Sequence, residues 1–252
     1  MKIWKAHYID EHHDLDIDIL NTEEDYSSNP LSFCINGITF SGTCLNDFEL
    51  ANPKLYEKVK NEFQILKHGG KATNDEYYYN LQRYSLDVVI PLSLLRKADQ
   101  CVVQGDLHIF FQLCEHDKEQ HQAHFSCDDE TVYLDDVHIK NFSLSIDGEE
   151  YSVDAKDLYF ESNFLKLCKM IKDKYELRCC FTCQYSDYSP YGNDDYGTML
   201  CFRKHKSEYL KVNNKDDFFQ YLFHLDFERR QETYLCEEYE VRNRCEGYRG
   251  FI

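Results

Sequence analysis

Hydrophobic and polar residues alternate along much of the first half of the chain. Residues 14–19 read Asp-Leu-Asp-Ile-Asp-Ile, a period of two that is typical of a β-strand with one face in water. Asn36-Gly37 separates two short apolar runs, and it favours a tight hairpin because both residues tolerate positive φ. Similar runs predict further strands at 86–92, 107–114, 131–134, 137–146 and 149–153.

Two breaks in this pattern predict local features. The alternation within 137–146 slips by one residue at Lys140-Asn141, which indicates a β-bulge. We also expect 107–114 to pair with 124–134, which makes the polar residues between them a hairpin loop.

Two longer segments have helical spacing instead. Asn52 can cap a helix, Pro53 suits its first position, and apolar residues recur at 55, 59, 63 and 66 before Gly69-Gly70. A second apolar stripe predicts a helix near 158–175 that covers one face of a sheet. After it, the pattern of apolar and polar residues predicts a strand at 177–184, one or two strands within 198–212 and a short helix at 215–225.

These elements predict an α+β fold class. A β-rich N-terminal sheet or sandwich with a few covering helices occupies residues 1–157. A smaller α+β part, which contains the cysteine motifs, follows over residues 158–252. The two parts form either two domains or one continuous domain.

The net charge of the chain indicates which classes of partner it can bind. The 252 residues carry 28 basic and 46 acidic side chains, a net charge of −18, and 17 − 32 = −15 of this belongs to residues 1–175. An acidic surface disfavours nucleic acids and anionic membranes, and a basic protein is its natural complement. Because no apolar signal segment or membrane span is visible, we expect a soluble cytoplasmic protein.

The cysteines offer one candidate metal site. Twelve cysteines are dispersed along the chain, and in a reducing cytosol they are expected to be free thiols in the core. The spacing of Cys180, Cys183, Cys201 and Cys236 also allows a tetrahedral zinc site. If 177–184 is a strand, however, Cys180 and Cys183 point to opposite faces, so zinc would need a turn there. We therefore expect no cofactor, with structural zinc as the alternative.

A second group of ligand-type residues lies in the first half. It comprises Cys114, His116, His121, His124 and Cys127, and such residue types can bind a transition metal. The alternative is a solvated polar loop between two strands.

Two further segments are candidates for partner binding. Residues 185–197 interleave Tyr185, Tyr188, Tyr191 and Tyr196 with small polar residues, a composition typical of recognition surfaces; the alternative is a loop folded back onto its own body. The acidic stretch with Asp128, Asp129, Asp135 and Asp136 could face a basic partner; the alternative is a solvated strand face.

No catalytic motif fixes a reaction. The chain lacks G-x-S-x-G, H-E-x-x-H and G-x-G-x-x-G, and Gly69-Gly70-Lys71 lacks the upstream glycine of a P-loop. The leading hypothesis is therefore a non-enzymatic binding protein. A metalloprotein or enzyme that uses the Cys/His clusters is the alternative.

The C-terminal motifs resemble a known group of proteins. The series CQYSDYSPYG (183–192), GTMLCFR (197–203), ETYLC (232–236) and GYRG (247–250) is similar to the end of a family of uncharacterised bacterial proteins, some of which are grouped with immunity proteins of toxin systems. The resemblance implies a shared fold over roughly the last seventy residues, a cytosolic protein that binds other proteins, and a shared pattern that includes Cys183, Cys201 and Cys236. It implies no catalytic residue, and it suggests toxin neutralisation as the purpose of binding.

Overall fold

One large antiparallel sheet forms the body of the protein in the computed structural model. The structure describes residues 1–23, 29–70, 76–115, 125–127, 130–132, 135–155, 160–189, 196–197 and 199–242. Mostly antiparallel strands with a few short helices confirm the predicted β-rich α+β class.

The elements are as follows. The strands of the main sheet are β1 (Lys2–Ile9), β2 (Asp14–Asn21), β3 (Leu31–Ile35), β4 (Ile38–Gly42), β5 (Glu49–Leu50), β6 (Ile65–Gly70), β7 (Glu76–Leu81), β8 (Ser85–Arg96), β9 (Cys101–Cys114), β10 (Phe125–Cys127), β11 (Glu130–Val132), β12 (Asp136–Ile146), β13 (Glu149–Ser152) and β14 (Tyr175–Leu177). A small sheet contains β15 (Ser186–Asp187), β16 (Met199–Cys201) and β17 (Glu228–Arg230). The helices are α1 (Tyr56–Val59), α2 (Phe160–Ile171), α3 (Lys206–Tyr209) and α4 (Lys215–Tyr221), with 3₁₀ turns at Pro53–Leu55, Cys180–Thr182 and Arg203–His205.

The main sheet has the strand order β11-β10-β6-β7-β5-β4-β3-β2-β1-β8-β9-β12-β13. Strand β14 pairs with the last residues of β8, beyond the point where β1 ends. The predicted turn at Asn36-Gly37 is confirmed, and a second such turn forms at Asp147-Gly148; all four residues have positive φ. The predicted bulge is confirmed as a register shift between Ile139 and Asn141.

The core lies on one face of this sheet. Strand β2 shows why: Ile17 and Ile19 are buried, whereas Asp16 and Asp18 between them are exposed. An aromatic cluster fills the centre, with Tyr8, Phe33, Phe40, Phe48, Phe63 and Tyr84 in successive ring contacts. Burial of these large side chains is the dominant favourable term in the stability of such a sheet.

Helix α2 covers the end of the sheet near β12, β13 and β14. Its buried residues Phe160, Phe164, Leu167 and Ile171 confirm the predicted apolar stripe. Tyr175, which the prediction included in the helix, begins β14 instead.

The predicted helix after Asn52 is mostly wrong. Only a 3₁₀ turn capped by Asn52 and the single turn α1 form, and Ile65–Gly70 is strand β6. Val59 and Phe63 are buried. The apolar residues four positions apart therefore belong to one short helical turn and to the segment that follows it. Residues 65–70 then find a full set of backbone partners in β7, which a helix end could not offer.

Two predictions for the later strands are only partly confirmed. The segment predicted as a strand at 177–184 ends its strand at Leu177 and forms a 3₁₀ turn at Cys180–Thr182. One of the one or two strands predicted within 198–212 forms, at Met199–Cys201, and the described residues after it form a 3₁₀ turn and α3. The predicted short helix at 215–225 is confirmed as α4, with the Asn214 side chain capping it.

The predicted pairing of 107–114 with 124–134 is wrong as well. Strand β9 pairs with β8 and β12, and these long hairpins leave no free edge for β10. Strands β10 and β11 pair with each other, and β10 contacts β6 in the parallel sense.

A second, smaller core lies under the small sheet. It contains Cys183, Tyr185, Leu200, Phe202, Tyr209, Val212, Phe218 and Leu222. The side chains of Asn21 and Gln231 join the two sheets through a reciprocal pair of hydrogen bonds of 2.7 and 3.2 Å. None of the helices within the described residues is long and apolar enough to cross a membrane.

Candidate functional site

The outer face of the main sheet collects carboxylates from three strands. Alternation places Asp14, Asp16 and Asp18 of β2 on this face, with Asp87 of β8 and Asp106 of β9. Strand β1 lies between β2 and β8 and contributes Lys5 and His7, and β9 adds His108. We call these eight residues the acidic face.

The strand register brings these side chains into rows. Asp16, His7 and Asp87 lie opposite one another on β2, β1 and β8. Asp18, Lys5, Val89 and His108 form the next row across to β9. Residues that are far apart in the sequence therefore form one continuous surface.

A groove of about 660 Å³ runs along this face. Its lining includes Lys5, His7, Asp16, Asp18, Asp87 and His108. Lys5 forms an ion pair with Asp18 at 2.6 Å, and it is the one lysine among five carboxylates of the acidic face. The groove therefore presents unneutralised negative charge to solvent.

His7 lines the groove and contacts two of the carboxylates of the acidic face. Its Nδ1 lies 2.7 Å from Asp16 Oδ1 and its Nε2 lies 2.8 Å from Asp14 Oδ1. The hydrogen bond to Asp16 raises the pKa of His7, and Asp14 raises it further, while desolvation opposes them. Protonation of His7 at lower pH therefore reduces the negative charge of the groove.

Exposed aliphatic side chains border the same face. Ile3 and Leu20 are cross-strand partners and are 51% and 38% exposed. Ile9, at the other end of β1, is 37% exposed. Acidic groups flanked by exposed aliphatic groups are a combination that a protein partner can use, with charge for orientation and apolar area for affinity.

The predicted partner-binding tyrosines that the structure describes lie inside the protein. Tyr185, Tyr188 and Tyr196 are all buried, and Tyr191 lies outside the described residues. The hydroxyl of Tyr188 donates to buried Glu232 at 3.0 Å, and that of Tyr196 lies 2.7 Å from Thr233 Oγ1. This favours the alternative, a loop folded back onto its own body.

The acidic stretch is only partly available to a partner. Asp128 and Asp129 lie outside the described residues. Asp135 is half-buried, and its carboxylate accepts the backbone N–H of Arg83 at 2.7 Å. Burial raises the pKa of Asp135, with the Arg83 hydrogen bond opposing it. Asp136 opens β12 opposite Cys114.

Three separate segments of the chain carry the four candidate zinc ligands. Cys180 and Cys183 stand at the two ends of the 3₁₀ turn, where the prediction had a strand. Cys201 ends β16, and Cys180, Cys183 and Cys201 are buried free thiols. Cys236 is a partly buried free thiol. Among the residues that the structure describes, no group of three or more Cys, His, Asp or Glu side chains is already placed to hold a metal ion.

The other Cys/His group is only partly described. Cys114 is a partly buried free thiol at the end of β9. His116, His121 and His124 lie outside the described residues, as does the side chain of Cys127.

Asp87 and Asp106 were not among the site residues predicted from the sequence. The usable signal was the alternation in β8 and β9, where each of these acids lies between buried apolar residues. The register that brings them beside β1 and β2 is a long-range property, and local patterns do not contain it.

Comparison with known proteins gives a family for most of the chain. Residues 2–186 match the model of one family, described as "Family of unknown function (DUF6304)". The match covers the main sheet, α2 and β14 and ends at Ser186, the first residue of β15. The motifs from 197 onward, GTMLCFR, ETYLC and GYRG, lie beyond it. No curated protein and no solved structure matches the chain.

Proposed function

The chain belongs to the DUF6304 family, and we propose that it is a binding protein whose acidic face covers a basic protein partner. The observation that carries this proposal is the acidic face, where five carboxylates and one lysine share one sheet face and three of the carboxylates line the groove. The partner is a toxin with a basic surface, and the protein acts as its immunity protein by occupying that surface.

The chemistry of the face suits lysine and arginine side chains. Asp16 is 93% exposed, and Asp87 is exposed two strands away, with His7 between them. Cations that enter between these carboxylates gain charge-assisted hydrogen bonds without deep burial of the acids. Ile3, Leu20 and Ile9 supply the apolar contact that such a groove lacks.

Neutralisation of this kind needs no reaction. A bound acidic face blocks a basic surface sterically and by charge, and complementary charge mainly accelerates association. Binding of the toxin takes place in the cytoplasm, a reducing compartment, and the free thiols of the described cysteines are compatible with this location.

The experiment combines recovery of a partner with charge reversal. Tagged full-length protein is used to recover proteins from the native host at moderate salt, and mass spectrometry identifies what co-elutes. We expect one basic protein in near-equal amount. The double variant Asp16→Lys/Asp87→Lys should lower its association rate roughly tenfold or more at low salt, with a smaller effect at high salt.

A matched control variant distinguishes the effect of charge on the acidic face from the effect of the overall net charge. Asp173→Lys/Asp216→Lys makes the same change in net charge at exposed positions on other elements. It should leave the association rate within about twofold, because screening confines charge effects to about 8 Å at physiological salt. Equal rates for the two double variants, or recovery of no partner, would overturn the proposal.

A further inference from the structure

A small cavity lies between helix α2 and the end of the described chain. Its volume is about 220 Å³, and its walls come from α2, β14, the 3₁₀ turn at Cys180–Thr182 and residues 239–242. It shares no residue with the groove of the acidic face. A ligand of this cavity is therefore distinct from the basic protein partner proposed above.

One part of the lining is apolar. Phe181 is fully buried, and Leu165 and Tyr239 are half-buried around the cavity. Val241 also lines the cavity although it is 55% exposed, so this wall opens to solvent. These side chains offer aliphatic and aromatic surface to an apolar group.

The other part of the lining carries positive charge. Lys169 of α2 and Lys172 directly after the helix are exposed, and Arg242 joins them from the end of the described chain. Among the described residues that line the cavity, Glu176 is the one carboxylate. The lining is therefore positively charged in a chain whose net charge is −18.

The guanidinium of Arg242 is held in place without a counter-ion. Its Nε donates to the carbonyl of Cys183 at 3.2 Å and its Nη2 donates to the carbonyl of Ser186 at 2.5 Å. Its buried Nη1 has no hydrogen-bond partner among the described residues, and no ion pair within this part of the chain includes Arg242. Backbone carbonyls do not neutralise a charge, so a partly buried cation lacks its compensating anion.

A second guanidinium lies next to the cavity. The Cζ of Arg178 is 5.2 Å from the centre of the Tyr239 ring, and its buried Nε has no acceptor among the described residues. The charge of Arg242 also reaches the thiol of Cys168, which lines the cavity: burial raises the pKa of Cys168 to about 12, and Arg242 opposes the rise. The positive charge is therefore concentrated on one side of an apolar space.

We propose that this cavity binds a small organic carboxylate whose apolar body is about the size of one ring. The carboxylate lies near Lys169, Lys172 and Arg242 and supplies the missing negative charge. The apolar body packs against Phe181 and Tyr239. An apolar cavity of about 150 Å³ can hold benzene, so 220 Å³ has room for a ring and a carboxylate.

Calorimetric titration of the full-length protein with benzoate tests the proposal. Benzoate should bind saturably to one site per chain and raise the melting temperature. Benzamide has the same shape without the charge, and acetate has the charge without the ring. Each should bind at least about tenfold more weakly than benzoate.

Two single variants with the same change in net charge locate the site. Val241→Asp places a carboxylate on the wall of the cavity at an exposed position, and it should weaken benzoate binding at least about tenfold. Val102→Asp, at a 54% exposed position on β9, is the matched control. It should leave the affinity within about twofold of wild type.

A double variant tests the two lysines. Lys169→Gln/Lys172→Gln changes exposed positions and should weaken benzoate binding at least about threefold. Lys54→Gln/Lys58→Gln removes the same charge at exposed positions elsewhere and should leave the affinity unchanged.

Alkylation of Cys168 shows where benzoate binds. Saturating benzoate should slow the reaction of Cys168 with a thiol reagent and leave that of exposed Cys101 unchanged, as peptide mass spectrometry measures. No saturable binding of benzoate, equal binding of benzamide, or equal affinities of Val241→Asp and Val102→Asp would overturn the proposal. Bound benzoate that leaves Cys168 unprotected would overturn it as well.

Discussion

Buried Glu232 holds Tyr188 and Gly197 in place through two hydrogen bonds. Glu232 accepts the hydroxyl of Tyr188 at 3.0 Å and the N–H of Gly197 at 2.6 Å. Gly197 has φ +100°, and a Cβ there would come within 2.6 Å of the carbonyl oxygen of Thr43. The residue after Tyr196 is therefore held between two parts of the chain at a point that only glycine fits.

We expect Tyr188→Phe to destabilise the protein by about 1–3 kcal/mol, because buried Glu232 loses a donor. Tyr185→Phe is the matched control, since its hydroxyl donates to the exposed carboxylate of Glu240. Water can replace that bond, so the control should cost less than about 0.5 kcal/mol. Urea unfolding measures both free energies, and equal costs would contradict the assignment of Tyr188 to the core.

At the scale of elements, local patterns predicted those strands whose two faces differ. Strand β2 and the turn at Asn36-Gly37 could be predicted because alternation and turn-forming residues depend only on neighbouring positions in the sequence. The helix expected after Asn52 failed because an apolar spacing of four fitted a helix as well as a short turn followed by a strand. The partner strand β7 decided between them, and a local pattern does not contain that pairing.

The small sheet has its own electrostatic anchor in β17. Glu228 accepts Arg230, Arg203 and Lys204 at 2.5, 2.6 and 2.9 Å. Burial alone would raise the pKa of Glu228, but these hydrogen bonds outweigh it and lower the pKa from 4.5 to about 2. A carboxyl with a depressed pKa stabilises the fold above its unfolded value, and this contribution is lost as the pH falls through the folded value.

Glu228→Gln should therefore cost about 1–3 kcal/mol of unfolding free energy at pH 7. The difference from wild type should persist down to about pH 4.5 and shrink towards zero by about pH 2. Other carboxyls titrate in both proteins and cancel in the comparison. Urea titrations at a series of pH values measure it, and a difference independent of pH would refute the ion-pair explanation.

At the scale of the molecule, the acidic face shows what the sequence contained and what it lacked. The acids of β2 were visible as a strand facing water, and the net charge pointed to a basic partner. Asp87 and Asp106 join them only through the register of β1, β8 and β9, more than sixty residues along the chain. The tyrosine loop had the composition of a recognition surface, but composition does not reveal burial.

The reciprocal pair of Asn21 and Gln231 couples the two sheets. Asn21→Leu removes the acceptor of the Gln231 amide N–H, and Gln231→Leu removes the acceptor of the Asn21 amide N–H, so each should cost about 1–3 kcal/mol. The double variant should cost at least about 1 kcal/mol less than the sum. Gln231→Leu combined with Cys101→Ser, at the exposed start of β9, should be additive. Unfolding free energies from denaturant titrations of the wild type, the two single variants and the double variant give the double-mutant cycle. Additive losses of unfolding free energy for the Asn21/Gln231 pair would argue against coupling.

The pairing of β14 with β8 has a consequence for the order of synthesis. Leu94, Leu95 and Arg96 meet β9 as soon as the hairpin forms, but their other edge waits for Tyr175–Leu177. During translation this edge stays open while some eighty residues are added, and an open strand edge invites pairing with another chain. Nascent chains that stall before Leu177 should therefore be the ones that need a chaperone.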